Sequence, residues 1–127
     1  MPLTRRSLLT RSALATGIGL LALTGCSPAA DVPATGETTE VTVHVEGMRF
    51  VPDVIEVPVG NALVVTFENT GDVVHDLVFD GGAGSDHLSP GDSQVIEVGV
   101  IGSDLDGWCS VSNHRAMGME LSVKAVE

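Results

Sequence analysis

Aromatic residues are the class that this sequence has least of. They make up 3% of the 127 residues, as three Phe and one Trp with no Tyr, although 43% of the chain is hydrophobic. The apolar content is therefore mostly aliphatic, and 15 Gly accompany it. This composition is typical of a small β protein, and the length allows one domain at most.

Basic residues are also scarce, with six Lys and Arg against 17 Asp and Glu, a net charge of −11. Arg5, Arg6 and Arg11 all precede the first acidic residue, Asp31. Without residues 1–25 the chain keeps three basic and all 17 acidic residues, a net charge of −14. Such a surface disfavours nucleic acid and anionic lipid headgroups as partners. It favours a basic partner or serves solubility alone.

The N-terminal part has no apolar run long enough for a membrane span. Residues 13–23 form a short apolar stretch after a basic start, which is typical of a secretory signal. Residues 4–9 (TRRSLL) resemble the twin-arginine signature of proteins exported in the folded state, with an ordinary basic start as the alternative. Residues 23–26 (LTGC) resemble a bacterial lipobox, in which Cys26 is lipidated and becomes the mature N-terminus.

These motifs predict a signal peptide over residues 1–25, followed by the lipidated Cys26. Residues 26–39 are small, polar and Pro-containing, which is typical of a flexible tether. One domain then spans residues 40–127. We expect the domain on the outer face of the cytoplasmic membrane, held to the membrane through its lipid anchor only.

Apolar residues alternate with polar ones from Glu40 onward, between turns rich in Gly, Pro and Asn. Val41, Val43 and Val45 are one such series. No stretch has helical periodicity longer than a turn. Seven to eight short strands at this spacing predict an all-β sandwich or barrel.

The phase of this alternation predicts which side chains point inward. His75 shares its phase with Val73, Leu77 and Phe79, and Met119 shares the phase of the apolar residues that follow it. An inward histidine is often a satisfied core residue. Phase alone therefore leaves both a core role and a ligand role open for His75.

Cysteine is scarce enough to make Cys109 informative. For two cysteines in an exported chain the default is a disulfide, here Cys26–Cys109. If Cys26 is lipidated, that partner is lost, and a metal thiolate becomes the leading explanation for Cys109. An intermolecular disulfide in a structural domain without redox activity is the alternative.

Cys109, His114 and Met119 are spaced by four residues each, and His75 adds a second imidazole from another strand. One thiolate, two imidazoles and a weak thioether form the ligand set of an electron-transfer copper site. Zinc more often takes four strong nitrogen or sulfur donors, and magnesium or calcium would require oxygen ligands. His44 lies on the polar phase and His87 in a turn, so neither is a predicted ligand.

The loop that carries Cys109, His114 and Met119 resembles the copper-binding loop of the cupredoxins, the small type 1 blue-copper proteins similar to plastocyanin and azurin. Residues 48–60 (MRFVPDVIEVPVG), 69–77 (NTGDVVHDL) and 88–92 (LSPGD) resemble other segments of that family. The loop is the specific part of the likeness. The resemblance implies an antiparallel Greek-key β-sandwich with copper at one end.

The resemblance also implies the function and the residues that carry it. One copper ion would cycle between Cu(I) and Cu(II), with His75, Cys109 and His114 as equatorial ligands. Spacing and phase favour Met119 over Met117 as the axial ligand. The protein would be a monomeric carrier of single electrons between redox partner proteins, and not an enzyme, which would need further domains or a second copper centre.

Family members commonly exchange electrons through the exposed edge of the loop histidine, here His114. We expect the residues around it to form a docking patch, namely Asn113, Arg115, Ala116 and Met117. Trp108 is assigned to core packing, and Asn69 and Asp76 are candidates for hydrogen bonds around the site. The alternative function is copper storage or delivery without a redox role, although such sites favour open motifs rich in Met and His.

Overall fold

The computed structural model describes residues 32–127, which form eight strands and one short 3₁₀ turn, Arg115–Met117. The strands are β1 (Thr38–Glu46), β2 (Arg49–Val51), β3 (Val54–Pro58), β4 (Ala62–Glu68), β5 (Val78–Phe79), β6 (Ser93–Val100), β7 (Leu105–Trp108) and β8 (Glu120–Val126). Within this range, no helix is long and apolar enough to cross a membrane. The predicted signal peptide and lipidation site, residues 1–26, lie outside the described residues.

The strands form two four-stranded sheets, in the orders β2-β1-β4-β6 and β3-β8-β7-β5. β1 pairs with β4 and β3 pairs with β8 in parallel, whereas the other pairs are antiparallel. The predicted all-β sandwich is therefore confirmed, with mixed sheets in place of the purely antiparallel ones that we expected.

Aliphatic and aromatic side chains that alternate along the strands fill the core. In β4, Leu63, Val65 and Phe67 are buried while their neighbours are at most partly covered. The rings of Phe67 and Phe50 meet edge to face, with centroids 5.8 Å apart. Each side chain buried in this way contributes roughly 1.5–3 kcal/mol. The core continues to the chain after β7, where Cys109 is buried.

Residues 35–39, which belong to the predicted tether, make hydrogen bonds with the rest of the domain. β1 begins at Thr38, and the Thr35 hydroxyl donates to Asn61 Oδ1 at 2.6 Å. The backbone N–H of Ala62 donates to the Glu37 carbonyl at 3.0 Å. Thr35 thus bonds to the turn before β4, while Thr38 and Thr39 pair with the first two residues of β4 itself.

The segment before β5 is a loop, whereas the alternating pattern predicts a strand there. An isolated bridge joins His75 to Leu88. His75 is buried as expected, but Val73, which shares its phase, is 45% exposed, and Asp76 on the opposite phase is 2% exposed. In a strand, successive side chains point to opposite faces, but a loop has no such regularity. Phase therefore does not predict burial in this segment, and the adjacent residues His75 and Asp76 are both buried.

Candidate metal centre

Three buried side chains converge between the loop before β5 and the loop that joins β7 to β8. His75, Cys109 and His114 each place a ligand atom within 4.8 Å of the others. Among residues 32–127 this is the one group of at least three His, Cys, Asp or Glu arranged to hold a metal ion. The structure therefore brings together the three residues that the sequence singles out as equatorial ligands.

The distances between these donor atoms fit a shared ion. Cys109 Sγ lies 3.9 Å from His75 Nδ1 and 3.5 Å from His114 Nδ1. A first-row metal such as zinc bonds thiolate sulfur at about 2.3 Å and imidazole nitrogen at about 2.1 Å, which places the two donors about 3.6–3.8 Å apart at tetrahedral to trigonal angles. The observed distances bracket this range. Soft sulfur with two imidazoles is also a donor set that suits copper.

Backbone hydrogen bonds hold the Cys109 end of the loop. Cys109 follows the last residue of β7, and its N–H donates to the Met119 carbonyl at 3.1 Å. Met119 N–H donates to the His114 carbonyl at 3.2 Å, and His114 N–H donates to the Val111 carbonyl at 3.1 Å. Gly118 adopts a φ of +100°, a conformation that only glycine reaches easily, and so lets the chain reverse into β8.

The two methionines of the loop occupy different environments. Met119 is fully buried, and its backbone bonds to both Cys109 and His114. Met117 lies in the 3₁₀ turn and is 55% exposed. The burial of Met119 follows from its phase in the sequence, and its role as the axial ligand stays a prediction.

Asn69 fixes the loop that carries His75. Its Nδ2 donates to the carbonyls of Val73 and Leu88 at 2.9 and 2.8 Å, and its Oδ1 accepts from Gly71 N–H at 3.0 Å. The backbones of His75 and Leu88 exchange two further hydrogen bonds. Asn69 therefore acts on the site through the backbone of this loop.

Gly71 is a residue that the sequence analysis missed. A Cβ at this position would lie 3.0 Å from His75 Nε2 and 3.1 Å from Val45 Cγ1. The neighbouring Thr70 hydroxyl bonds to both the N–H and the carbonyl of Val45, so the loop has little freedom to retreat. The absence of a side chain at Gly71 thus leaves room for the imidazole of His75. The sequence does not show this, because it depends on how the folded chain packs.

Asp76 links the two chain segments that carry His75 and Cys109. Its Oδ1 accepts from the Ser110 N–H at 2.6 Å, and its Oδ2 accepts from the Ser110 hydroxyl. His87 Nε2 lies 3.4 Å from the same Oδ2, at the protein surface. The hydrogen-bonding role predicted for Asp76 thus has a specific form, which joins the residue after one ligand to the residue after another.

Burial changes the acid–base behaviour of two of the clustered side chains. It lowers the pKa of His75, as does the nearby His114, while Asp76 acts in the opposite direction. Burial raises the pKa of the Cys109 thiol, against the effect of hydrogen bonds from the backbones of Asp76 and Val111. A neutral imidazole is the form that binds metal, whereas the thiol must release its proton to do so.

The predicted docking residues surround His114 at the surface. His114 is 9% exposed, and its neighbours along the chain are exposed, namely Asn113, Arg115, Ala116 and Met117. The Arg115 guanidinium lies 4.2 Å from the centre of the Trp108 ring, and its Nε donates to Glu120 Oε1 at 2.9 Å. Trp108 is only half-buried and packs under this arginine, outside the main core cluster.

The other two histidines of the chain lie apart from the cluster. The side chain of His44 is 39% exposed and that of His87 is 64% exposed. Neither belongs to the group of donor atoms around Cys109.

Comparison with known protein families identifies the domain. The sequence profile of the cupredoxin-like domain matches residues 15–101, more than half of the chain. The matched span includes His75 and ends before Cys109. The case for a metal site in the loop between β7 and β8 therefore rests on the positions of the donor atoms of Cys109 and His114. No curated protein sequence matches the chain.

Solved structures share the fold. Reduced auracyanin from the photosynthetic bacterium Roseiflexus castenholzii is similar with a TM-score of 0.61 and 20% identity, over 72% of this chain and 100% of that chain. Auracyanin A, a "blue" copper protein from Chloroflexus aurantiacus, gives 0.56 and 15%, over 70% and 99%. The multicopper oxidase mgLAC gives 0.57 and 18%, over 68% of this chain and 38% of the oxidase. Taken with the profile match, these similarities show that the chain belongs to the cupredoxin family.

Proposed function

We propose that the protein holds one copper ion with His75, Cys109, His114 and Met119 and carries single electrons between redox partner proteins. The buried cluster supports this most directly, because both imidazole Nδ1 atoms lie 3.5–3.9 Å from the Cys109 sulfur. Copper supplies the one-electron couple Cu(II)/Cu(I) when bound. Thiolate and imidazole donors disfavour calcium and magnesium, which prefer oxygen ligands. The buried thioether favours copper over zinc, because zinc more often takes four strong nitrogen or sulfur donors.

The protein's own part is to keep the donors fixed while the charge at the site changes. Asn69 holds the His75 loop, and the bond between Cys109 N–H and the Met119 carbonyl holds the other. Burial of all four side chains excludes water, which would otherwise reorganise around the changing charge. His114 is the ligand nearest the surface and is the route by which we propose electrons enter and leave.

We further propose that the chain acts outside the cytoplasm, on the outer face of the cytoplasmic membrane, tethered through a lipid on Cys26. The support is the lipobox-like LTGC at residues 23–26 and the apolar signal stretch before it. A net charge of −14 after residues 1–25 keeps such a domain away from anionic headgroups and favours basic redox partners. The proposed role of a carrier is supported by the similarity to auracyanin A, a "blue" copper protein that the chain matches over 99% of that protein's length.

Colour tests the copper assignment. Addition of Cu(II) to the purified protein should produce an intense visible thiolate-to-copper band, and the Cys109→Ser variant should lack it. Met119→Leu should shift this band, whereas Met117→Leu, which changes an exposed side chain of the same kind, should leave it unchanged. A colourless complex would contradict electron transfer and favour copper storage or delivery. A band altered only by Met117→Leu would contradict the axial role of Met119.

A further inference from the structure

The strands run between two ends of the domain, and the candidate metal centre lies at one of them. β1 and β4 are parallel and in register, and Asn69, directly after β4, holds the His75 loop. β8 runs the other way, from the residue after Met119 to Val126, whose carbonyl accepts from the Val59 N–H at 2.8 Å. The starts of β1 and β4 and the end of β8 therefore lie at the end of the domain opposite the site.

Residues 33–37, called the strap below, are fastened at this opposite end. The N–H of Thr35 donates to the Gly60 carbonyl at 3.0 Å, and its hydroxyl donates to Asn61 Oδ1 at 2.6 Å. Gly60 has a φ of +92°, and a Cβ there would lie 2.6 Å from the Pro33 carbonyl oxygen. The turn before β4 thus has both the hydrogen-bond partners and the free space that the strap needs.

The strap shortens the length of chain that is free to move between the proposed lipid anchor and the domain. Pro33 is seven residues after Cys26, so the free chain spans at most about 25 Å even when fully extended. β1 alone has nine residues and is about 26 Å long, and the loops of the site extend beyond it. A domain anchored in this way cannot turn over to bring its site to the bilayer. With the strap released, the free chain would run to Thr38 and span up to about 43 Å, which is enough for the domain to turn over.

The site could also approach a bilayer if the domain lay on its side. Glutamates that alternate with core residues project from the outer face of the sheet β2-β1-β4-β6, beside one basic residue, Arg49. These exposed residues are Glu40, Glu46, Glu68 and Glu97. A bilayer that contains anionic lipids repels such a face, so this orientation is disfavoured as well.

We propose that the strap fixes the direction of the anchored domain, with the metal centre turned away from the bilayer, and that the redox partner is a water-soluble protein. This partner meets the exposed residues around His114 from the aqueous side. The inference rests on the lipid anchor and the carrier role of the proposed function. A partner buried in the same bilayer would not reach the site while the strap is fastened.

Contact between each end of the domain and the bilayer tests the inference. Ala34→Cys and Met117→Cys place an exposed thiol at the strap end and at the site end, respectively. A fluorophore reacts with the new thiol alone, because Cys109 is buried and Cys26 carries the lipid. The lipidated, metal-free protein is bound to vesicles of phosphatidylcholine and phosphatidylglycerol that contain a lipid with a nitroxide on its headgroup, which quenches the fluorophore on contact. We expect quenching to be several-fold stronger at position 34 than at position 117.

Two further variants lengthen the free chain by different means. Five Gly and Ser residues inserted between Asp31 and Val32 add about 18 Å of reach without changing the folded domain. Gly60→Ala displaces the strap itself, because its Cβ would meet the Pro33 carbonyl. Quenching at position 117 should rise several-fold in both variants. Denaturant unfolding shows whether Gly60→Ala folds, and the insertion tests the inference even if it does not.

The outcomes separate the inference from the function on which it rests. Weak quenching at position 117 that rises with the insertion supports the strap. Equal quenching at both positions in the unlengthened chain, or no rise with the insertion, overturns this inference alone. A protein that does not bind the vesicles overturns the lipid anchor and this inference with it, whereas the thiolate-to-copper band tests the copper function separately.

Discussion

At the scale of single residues, the site depends on a side chain that is missing as much as on those present. Gly71 does not require a positive φ, so its backbone would accept alanine. What excludes a side chain is the imidazole of His75, 3.0 Å from where the Cβ would lie, and Val45 on the other side. Thr70 ties this stretch to Val45, so the ring is the group that must move.

The Gly71→Ala substitution should therefore disturb the metal centre as well as the fold. We expect a loss of about 1–2 kcal/mol in the free energy of unfolding, typical of mild overpacking. We also expect a shifted thiolate-to-copper band and weaker copper binding, because the His75 ring is displaced. Urea unfolding of the metal-free protein and copper titration measure the two effects.

Gly84→Ala is the matched control for this prediction. A Cβ at Gly84 would lie 2.8 Å from Val78 Cγ1, 3.1 Å from Val78 Cα and 3.2 Å from the Leu77 carbonyl oxygen, so the crowding is at least as tight but does not fall on a proposed ligand. This variant should lose stability while its absorption band stays in place. If Gly71→Ala lost only stability and kept the wild-type band, the positioning role of Gly71 would be wrong.

Single residues also mark the limit of what the sequence can predict about the site. The clustering of Cys109 and His114 was predictable from residue type and spacing, and the burial of Met119 was predictable from its phase. Gly71 was not, because what matters there is the space next to a ring contributed by a residue four positions further along the chain. The clamp between Asp76 and Ser110 was only partly visible, since its partners lie 34 positions apart and meet only in the folded chain.

At the scale of elements, the donors come from two loops, the one before β5 and the one between β7 and β8. Hydrogen bonds hold each loop in shape. In the His75 loop this task falls to Asn69, which is 1% exposed and makes three hydrogen bonds to backbone groups. The alternation of apolar and polar residues predicted the strands β1, β3 and β4 well. In these strands one face packs on the core and the other is at least partly open to solvent, so burial alternates along the chain. It failed before β5, where side-chain hydrogen bonds to the backbone replace the sheet ladder.

Asn69→Ala should loosen the loop and therefore the ligand that it carries. Loss of its hydrogen bonds leaves the carbonyls of Val73 and Leu88 and the Gly71 N–H without this partner. We expect a loss of about 3 kcal/mol in the free energy of unfolding. The copper dissociation rate should rise at the same time, because His75 is no longer fixed. Denaturant unfolding and transfer of copper to a chelator provide the two measurements.

Asn61→Ala supplies the comparison, since Asn61 is a similarly buried amide that bonds Thr35 and Thr39 in a different loop. It should lower stability but leave the rate of copper transfer at the wild-type value. Equal acceleration of copper transfer in both variants would mean that general destabilisation, and not the His75 loop, controls copper release.

At the scale of the whole molecule, we expect the excess of negative charge to govern which charged molecules approach. Three basic residues remain after position 25, and two of them, Arg115 and Lys124, are paired with carboxylates. The sequence composition predicts this property without knowledge of the fold, because net charge does not depend on how the chain is arranged. What the fold adds is the position of the candidate site, because His114 lies in a loop whose neighbouring residues are exposed.

Electron exchange with small complexes should therefore depend on the sign of their charge. With the cationic hexaammineruthenium couple, the second-order rate constant should fall several-fold as salt rises from about 10 mM to 1 M, because the Debye length shrinks from about 30 Å to about 3 Å. With the anionic hexacyanoferrate couple it should rise over the same range, since screening then removes repulsion. Stopped-flow absorbance at the thiolate-to-copper band measures both. Identical salt dependence for the two probes would show that the net charge does not reach the site of electron exchange, and that the few groups beside His114 set the encounter instead.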